Sequence, residues 1–478
     1  MPGRAGTVGK GKGADLQLLL ARWEFALVTV FHFFFVPVTI GLGFLVALMQ
    51  TLAYRRHDAQ WDRLSRFFGR LFLINLAVGV VTGITLEFQF GLNWSAYSVF
   101  VGNIFGAPLA IEALLAFFME STFIGLWIFG RDRLSPRLHL ATIWLVSLGT
   151  VLSALFILAA NSWMQHPVGY KVEGGQAVLT NFWAVLGNPV LWGAFSHTVL
   201  GAFATAGALV LGISAWRAYR EPPGTGERAS FLRAARFSAF FTLISTVLVA
   251  VTGDLQARLM DTYQPMKMAA AEALYQTRSG ASFSLLTIGN LKQKPVFQIR
   301  VPHLLSLIAT LSWNGQVKGI NNLQATDVAK YGHGSYIPLI PLTYWSFRTM
   351  VGAGILIILL SAWGLWSLRA GGRHGGGGAK WFQRAALFGM ALPFIANTMG
   401  WIFTEAGRQP WTVFGLALTA KGVSSVTTVD IALTLAGFVV VYTVLGAIDA
   451  WLMVRAARTP LQKADEAGNA AEAAGLVY

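Results

Sequence analysis

The feature that most restricts this chain is a series of nine apolar runs, each long enough to cross a lipid bilayer. A hydrocarbon core of about 30 Å needs roughly 20 apolar residues in a helix. Segments at about 22–53, 68–90, 106–130, 137–164, 190–219, 231–256, 343–368, 381–404 and 427–456 all qualify. In lipid the backbone polar groups must be satisfied within the segment, so runs of this kind fold as helices. The expected fold is all-α: a polytopic membrane protein with about nine transmembrane helices. Only 12% of the residues are charged, against about 25% in a soluble domain.

Orientation follows from where the basic residues fall, since Lys and Arg concentrate in cytoplasmic loops. The loops after the first, third, fifth, seventh and ninth runs carry clusters such as Arg55, Arg56, Arg63, Arg66 and Arg70, or Arg217, Arg220, Arg228, Arg233 and Arg236. The short alternate loops, 91–105, 165–189 and 405–426, hold only Lys171, Arg408 and Lys421. The N-terminus is therefore expected outside and the C-terminus in the cytoplasm, although Arg4, Lys10 and Lys12 oppose this. The net charge of +15 is a topology signal. No basic stripe with interleaved aromatics accompanies it, which sets nucleic acid aside. Absence of cysteine excludes disulfides, thiolate-held iron–sulfur clusters and cysteine-attached haem.

Residues 1–21 read as a disordered, basic, Gly-rich tail leading into an uncleaved first helix, because no cleavage-site pattern follows a short apolar core. Residues 371–378 (GGRHGGGG) read as a flexible link and 457–478 as a cytoplasmic tail. The long stretch 257–342 lies outside on this topology. Its mixture of Tyr263, Lys267, Glu272 and Tyr275 with apolar residues suggests partial order against the membrane surface.

Within the spans a few ionisable or metal-ligating side chains stand out, and such residues at bilayer depth usually mark function. Of eight histidines, only His32 and His197 lie well inside apolar runs. His32 is ten residues below Arg22, His197 seven below Val190 and Met350 seven below Thr343, all entering from outside. At 1.5 Å per residue the three lie roughly 10–15 Å below the outer surface. Glu405, at the outer end of the eighth run, belongs to that layer. Two axial ligands of one haem must share a depth, and His with Met is an established pair. The plain alternatives are interhelical hydrogen bonding for the histidines and packing for the methionine.

Glu112 and Glu120, with Ser121 beside the second, lie eight residues apart on the third run. That spacing puts the carboxylates about 12 Å apart along one side of a helix, as a proton relay bridged by water and hydroxyls requires. Glu87 reads as a cap or anchor, and Asp254, Asp430 and Asp449 as groups facing water or a partner chain.

Several segments resemble, in order, subunit I of cytochrome bd, the bacterial quinol oxidase: RWEFALVTVFHFFFVPVTIGLGFLVALMQ, GITLEFQFGLNWSAYSVFVGNIFGAPLAIEALLAFFMES, LSALFILAANSWMQHP, FSHTV, LTYWSFRTMVGAG and GWIFTEAGRQPW. The resemblance implies that His197 and Met350 ligate a low-spin haem b, Glu405 a high-spin haem b, and His32 a haem d (or a further haem b) where oxygen binds. It makes Glu112, Glu120 and Ser121 a proton path. It places Trp401, Arg348 and Arg408 at haem edges or propionates, and Lys267 and Glu272 at the quinol. The compact outer loop is similar to the short-loop branch of the family. Implied partners are subunit II, a small single-helix accessory subunit, menaquinol or ubiquinol, and O2. On the residues alone two other classes remain, a proton-coupled secondary transporter and a haem b electron shuttle. The absence of an internal repeat weighs against the transporter.

Overall fold

The computed structural model describes residues 12–289, 291, 295–369 and 377–461. The expected tail at 1–11, most of the Gly-rich link and the end of the cytoplasmic tail lie outside the described residues. The described chain is mostly helical, and nine of its helical segments are long and apolar enough to cross a membrane. They are Asp15–Arg56, Ala59–Leu92, Ser95–Phe129, Pro136–Gln165, Pro189–Arg220, Gly226–Tyr263, Ile340–Arg369, Lys380–Ala406 and Thr428–Arg458, called here the first to ninth spans.

Several helices outrun the apolar runs. The first helix begins at Lys12, so residues 12–21, expected in a disordered tail, are helical. The sixth span continues to Tyr263, taking up the first turns of the expected outer loop. Apolar counting finds the bilayer-matched core of a helix and misses polar turns that project beyond it. Helix starts follow local rules: Ser135, Asn188 and Thr427 cap the fourth, fifth and ninth spans through their side chains. Asp430, expected to face water or a partner, completes a capping box with Thr427.

Two spans are interrupted. Residues Glu112–Phe117 form a π-helical segment inside the third span. The eighth is built from Gly377–Gly389 and Ala391–Ala406, broken at Met390. The first span packs against the second, fourth, fifth and ninth, which makes it the centre of the bundle. Its closest approach to the fifth is at Gly41, where a Cβ would lie 2.3 Å from the Ala202 carbonyl oxygen. Without a hydrophobic drive between helices in lipid, small residues of this kind let backbones pack.

The described part of the connection from the sixth to the seventh span is built of regular elements. It holds short helices Pro265–Ala271, Leu304–Thr310 and Ile320–Tyr331, and a hairpin pairing Phe283–Gly289 with Pro295–Val301 antiparallel. A second hairpin, Tyr170–Glu173 with Gln176–Leu179, follows the fourth span. These strands, with the short pairs Arg278–Ser279/Gln316–Val317 and Trp411–Val413/Ala417–Leu418, are the non-helical addition to the all-α expectation.

Candidate functional site

Direct contacts bring the neighbourhoods of the candidate ligands within about two turns of one another along the bundle. The Phe33 and Trp401 rings meet edge to face at 5.1 Å, which puts the neighbourhood of His32 beside Trp401. The Met350 Sδ lies 3.1 Å from where a Cβ on Gly400 would be. Asn397 Nδ2 donates to Thr205 Oγ1 at 3.0 Å, one turn below Trp401 on the eighth span and two turns below His197 on the fifth. The first helix starts earlier than expected, yet Arg22 Nη2 donates to Gln409 Oε1 at 3.2 Å. Arg22 therefore remains level with the end of the GRQPW segment, and His32 is still ten residues below that level.

Each imidazole has a defined neighbour. His32 Nδ1 lies 3.1 Å from Thr82 Oγ1 on the second span, and His197 Nδ1 lies 3.2 Å from Thr252 Oγ1 on the sixth. The structure sets His197 against the sixth span and Met350 against the eighth.

Glu405 pairs with Arg408 and accepts a hydrogen bond from Asn161 Nδ2 at 3.2 Å. Asn161 Oδ1 accepts from Gln165 Nε2 at 2.8 Å, and Gln165 Oε1 accepts from Lys267 Nζ at 3.0 Å. An unbroken polar chain thus runs from the outer loop to Glu405. Gly407 fits against the Lys267 stem, where a Cβ would lie 2.7 Å from Cγ. Lys267 and Arg408 also line one opening with Gln264, Asp327, Tyr336 and Trp411. Lys267 is buried, and burial, with the Arg408 charge adding to it, pushes its ammonium down to about 7.

Glu272 is buried too. Its Oε1 pairs with Arg348 at 2.8 Å and its Oε2 accepts from the Ser284 N–H at 2.8 Å. Arg348 Nε donates to the Ser284 carbonyl at 3.0 Å, and Nη1 donates to the Ala271 carbonyl. All three guanidinium nitrogens are therefore engaged with the loop, a different set of partners from the propionate implied for Arg348. The cation also sits 4.2 Å from the Tyr344 ring centroid.

In the third span Ser153 Oγ, from the fourth span, donates to Glu112 Oε1 at 2.6 Å. Ser121 instead donates to its own helix at Phe118, 3.2 Å away. The hydroxyl beside an acid is therefore Ser153, and Ser121 is turned from that position by its back-bond. Glu120 packs at Gly149, one turn from Ser153 along the fourth span. In a continuous α-helix eight residues overshoot two turns by about 80°. The wider π turns between the acids rotate less per residue, which keeps both facing the fourth span. No apolar pattern in the sequence announces that segment.

The residues suit haem. Arg408 Nε and Nη1 are buried without a hydrogen-bond partner while Nη2 holds Glu405, so two charged donors remain for further acceptors such as a carboxylate oxygen. Glycines lie against His32, His197 and Met350, where any larger side chain would crowd the ligand atoms. Among the described residues no three His, Asp or Glu gather in a cluster that would hold a bare metal ion. Single ligands on separate helices match haem iron instead.

Nine spans, with side chains of the kinds that ligate haem toward one end and paired acids on a flanking helix, define a multi-helical membrane protein. The model of cytochrome bd terminal oxidase subunit I matches residues 20–461. The chain is 47% identical over 442 residues to a Bacillus subtilis protein described as cytochrome bd ubiquinol oxidase subunit 1, covering 92% of this chain and 93% of that one. It is 35% identical to the Escherichia coli cytochrome bd-II ubiquinol oxidase subunit 1, covering 92% and 96%. Its fold superposes on the bd oxidase structure from Geobacillus thermodenitrificans with a TM-score of 0.83, at 27% identity, covering 94% of this chain and 99% of that one. The chain belongs to the cytochrome bd terminal oxidase subunit I family. It is accordingly a multi-pass bacterial membrane protein and an oxidoreductase subunit that works with haem. The transporter reading falls with this result.

Proposed function

We propose that this chain oxidises membrane quinol at the extracytoplasmic face and supports reduction of O2 to water with protons from the cytoplasm, so that turnover charges the membrane. The observation that carries this reading is the polar chain Lys267–Gln165–Asn161–Glu405, which ties the outer loop to the ligand layer. Bound haem supplies electron transfer and oxygen reduction: a low-spin haem b on His197 and Met350, a high-spin haem b on Glu405, and a haem d or further haem b on His32.

The chain's own residues bind, orient and move protons. Lys267, half neutral near pH 7, accepts a hydroxyl proton of quinol at the loop. Arg348 and Glu272 hold that loop together by their ion pair. Arg408 offers an unspent nitrogen to a propionate beside Glu405, and Trp401 with Phe33 walls the layer. Glu120 takes protons from the cytoplasmic side and passes them toward Ser153 and Glu112. Quinol protons leave outside while consumed protons come from inside, and the basic loops put the N-terminus outside and the C-terminus in the cytoplasm. Subunit II completes the enzyme, with a small single-helix subunit as a further component.

The test is reconstitution of the oxidase in liposomes with a potential-sensitive dye. Quinol should drive oxygen uptake together with a potential negative on the side of the basic loops. Oxygen uptake without a potential would refute the charge-separating mechanism.

A further inference from the structure

Each candidate ligand histidine rests on the same tripeptide of its neighbouring span. His32 faces Val81-Thr82-Gly83, and His197 faces Val251-Thr252-Gly253. The arrangement has two parts. A Cβ on Gly83 would lie 3.1 Å from His32 Cε1, and one on Gly253 would lie 3.4 Å from His197 Cε1, so the glycines admit the ring edges. The preceding threonine meets Nδ1 in both cases.

A threonine hydroxyl has one hydrogen to give and lone pairs to receive. Thr82 Oγ1 donates to the Gly79 carbonyl at 2.9 Å. Thr252 Oγ1 donates to the Leu248 and Val249 carbonyls at 3.0 and 3.1 Å. With that hydrogen given to the helix, the oxygen accepts from the imidazole, and the Val249 carbonyl is a second acceptor beside the His197 ring. Nδ1 must then carry the proton, and Nε2 is left with its lone pair free. We propose that Thr82 and Thr252 are positioning residues that lock His32 and His197 in the tautomer able to ligate iron through Nε2. The proposal rests on the ligand roles given above. It adds that ligation is set from the neighbouring helix, by a hydroxyl whose own hydrogen is spent elsewhere. Such outer partners orient a ligating histidine and raise its basicity, and losing one typically weakens metal binding 10–100-fold.

The test uses the purified oxidase and does not depend on turnover. Thr252→Val keeps the shape and removes the acceptor, whereas Thr252→Ser keeps the acceptor. The valine variant should raise the midpoint potential of the low-spin component, because a less basic imidazole stabilises the ferric state less. It should also speed loss of that haem to a scavenger protein about tenfold. The serine variant should match wild type in both, and Thr82→Val should alter only the component assigned to His32. If Thr252→Val does not assemble, Thr252→Ala takes its place in the same comparison. Wild-type potential and retention in the valine variant would overturn the proposal, as would equal loss of every haem with unmoved potentials. His197→Ala separates the two levels of the reading. An intact low-spin signal there would refute ligation itself, whereas loss there beside an unaltered Thr252→Val refutes only the threonine's role.

Discussion

Lys267 Nζ lies 3.0 Å from Gln165 Oε1, and this bond joins the outer loop to the end of the fourth span. Neither residue faces water. The lysine is the first member of a chain that reaches Glu405 through amides alone. Lys267→Ala should raise the apparent KM for quinol severalfold while leaving the absorbance bands in place. Steady-state oxygen uptake against quinol concentration checks this, and an unchanged KM would remove the loop from quinol binding.

The same lysine predicts a pH dependence of stability. Its ammonium titrates at about 7 when folded, against 10.5 in an open chain. Between those values the unfolded state binds more protons, so stability from this group rises with pH through the window and is lowest at and below about 7. Thermal unfolding of the wild type in detergent should show that rise above pH 7. Lys267→Met should flatten it, and identical slopes would contradict the burial seen for this side chain.

Glu272 and Arg348 form a buried ion pair, with side chains 2% and 8% exposed. Removing one partner of such a pair leaves an uncompensated charge, typically costing about 3–5 kcal/mol. Glu272→Ala should open the loop to limited proteolysis and lower the unfolding temperature. The double variant Glu272→Ala/Arg348→Met should recover part of that loss. Additive effects would show that the two act separately.

The proton path separates two serines. Glu112→Ala should slow oxygen reduction strongly with most haem retained, and Ser153→Ala should slow it in the same direction but less. Ser121→Ala should leave turnover near wild type, because its hydroxyl is engaged by its own helix. Turnover per haem measures all three, and a larger effect at Ser121 than at Ser153 would reverse the assignment.

The spans were legible because bilayer thickness imposes one length on every apolar run, and counting residues suffices to find them. Depth along a helix was legible for the same reason, since it is arithmetic: Met350 lies beside Gly400 and Phe33 beside Trp401 on the eighth span. What depends on rotation about a helix was not. The π turns after Glu112 decide which serine meets the acid, and they leave no mark in apolar spacing. Partners far apart in sequence were equally hidden. Asn161 and Gln165 lie in a segment that carried the resemblance but no assigned role. Glu24, also inside that resemblance and without an assigned role, is buried and accepts from Asn93 and Thr434. His139, read as a span-end residue, is buried between Gln50 and the Trp127 carbonyl. The Val-Thr-Gly repeat was visible as letters, yet only the facing histidines give it meaning.

The layer of His32, His197, Met350 and Glu405 is tested most directly by the reduced-minus-oxidised absorbance spectrum of the purified oxidase beside its His197→Ala and Met350→Ala variants. The wild type should show b-type bands together with a far-red band if haem d is present, and both variants should lose the low-spin b component while keeping the rest. A wild-type protein with no haem bands, or variants whose low-spin band is unchanged, would contradict haem ligation at this level of the membrane.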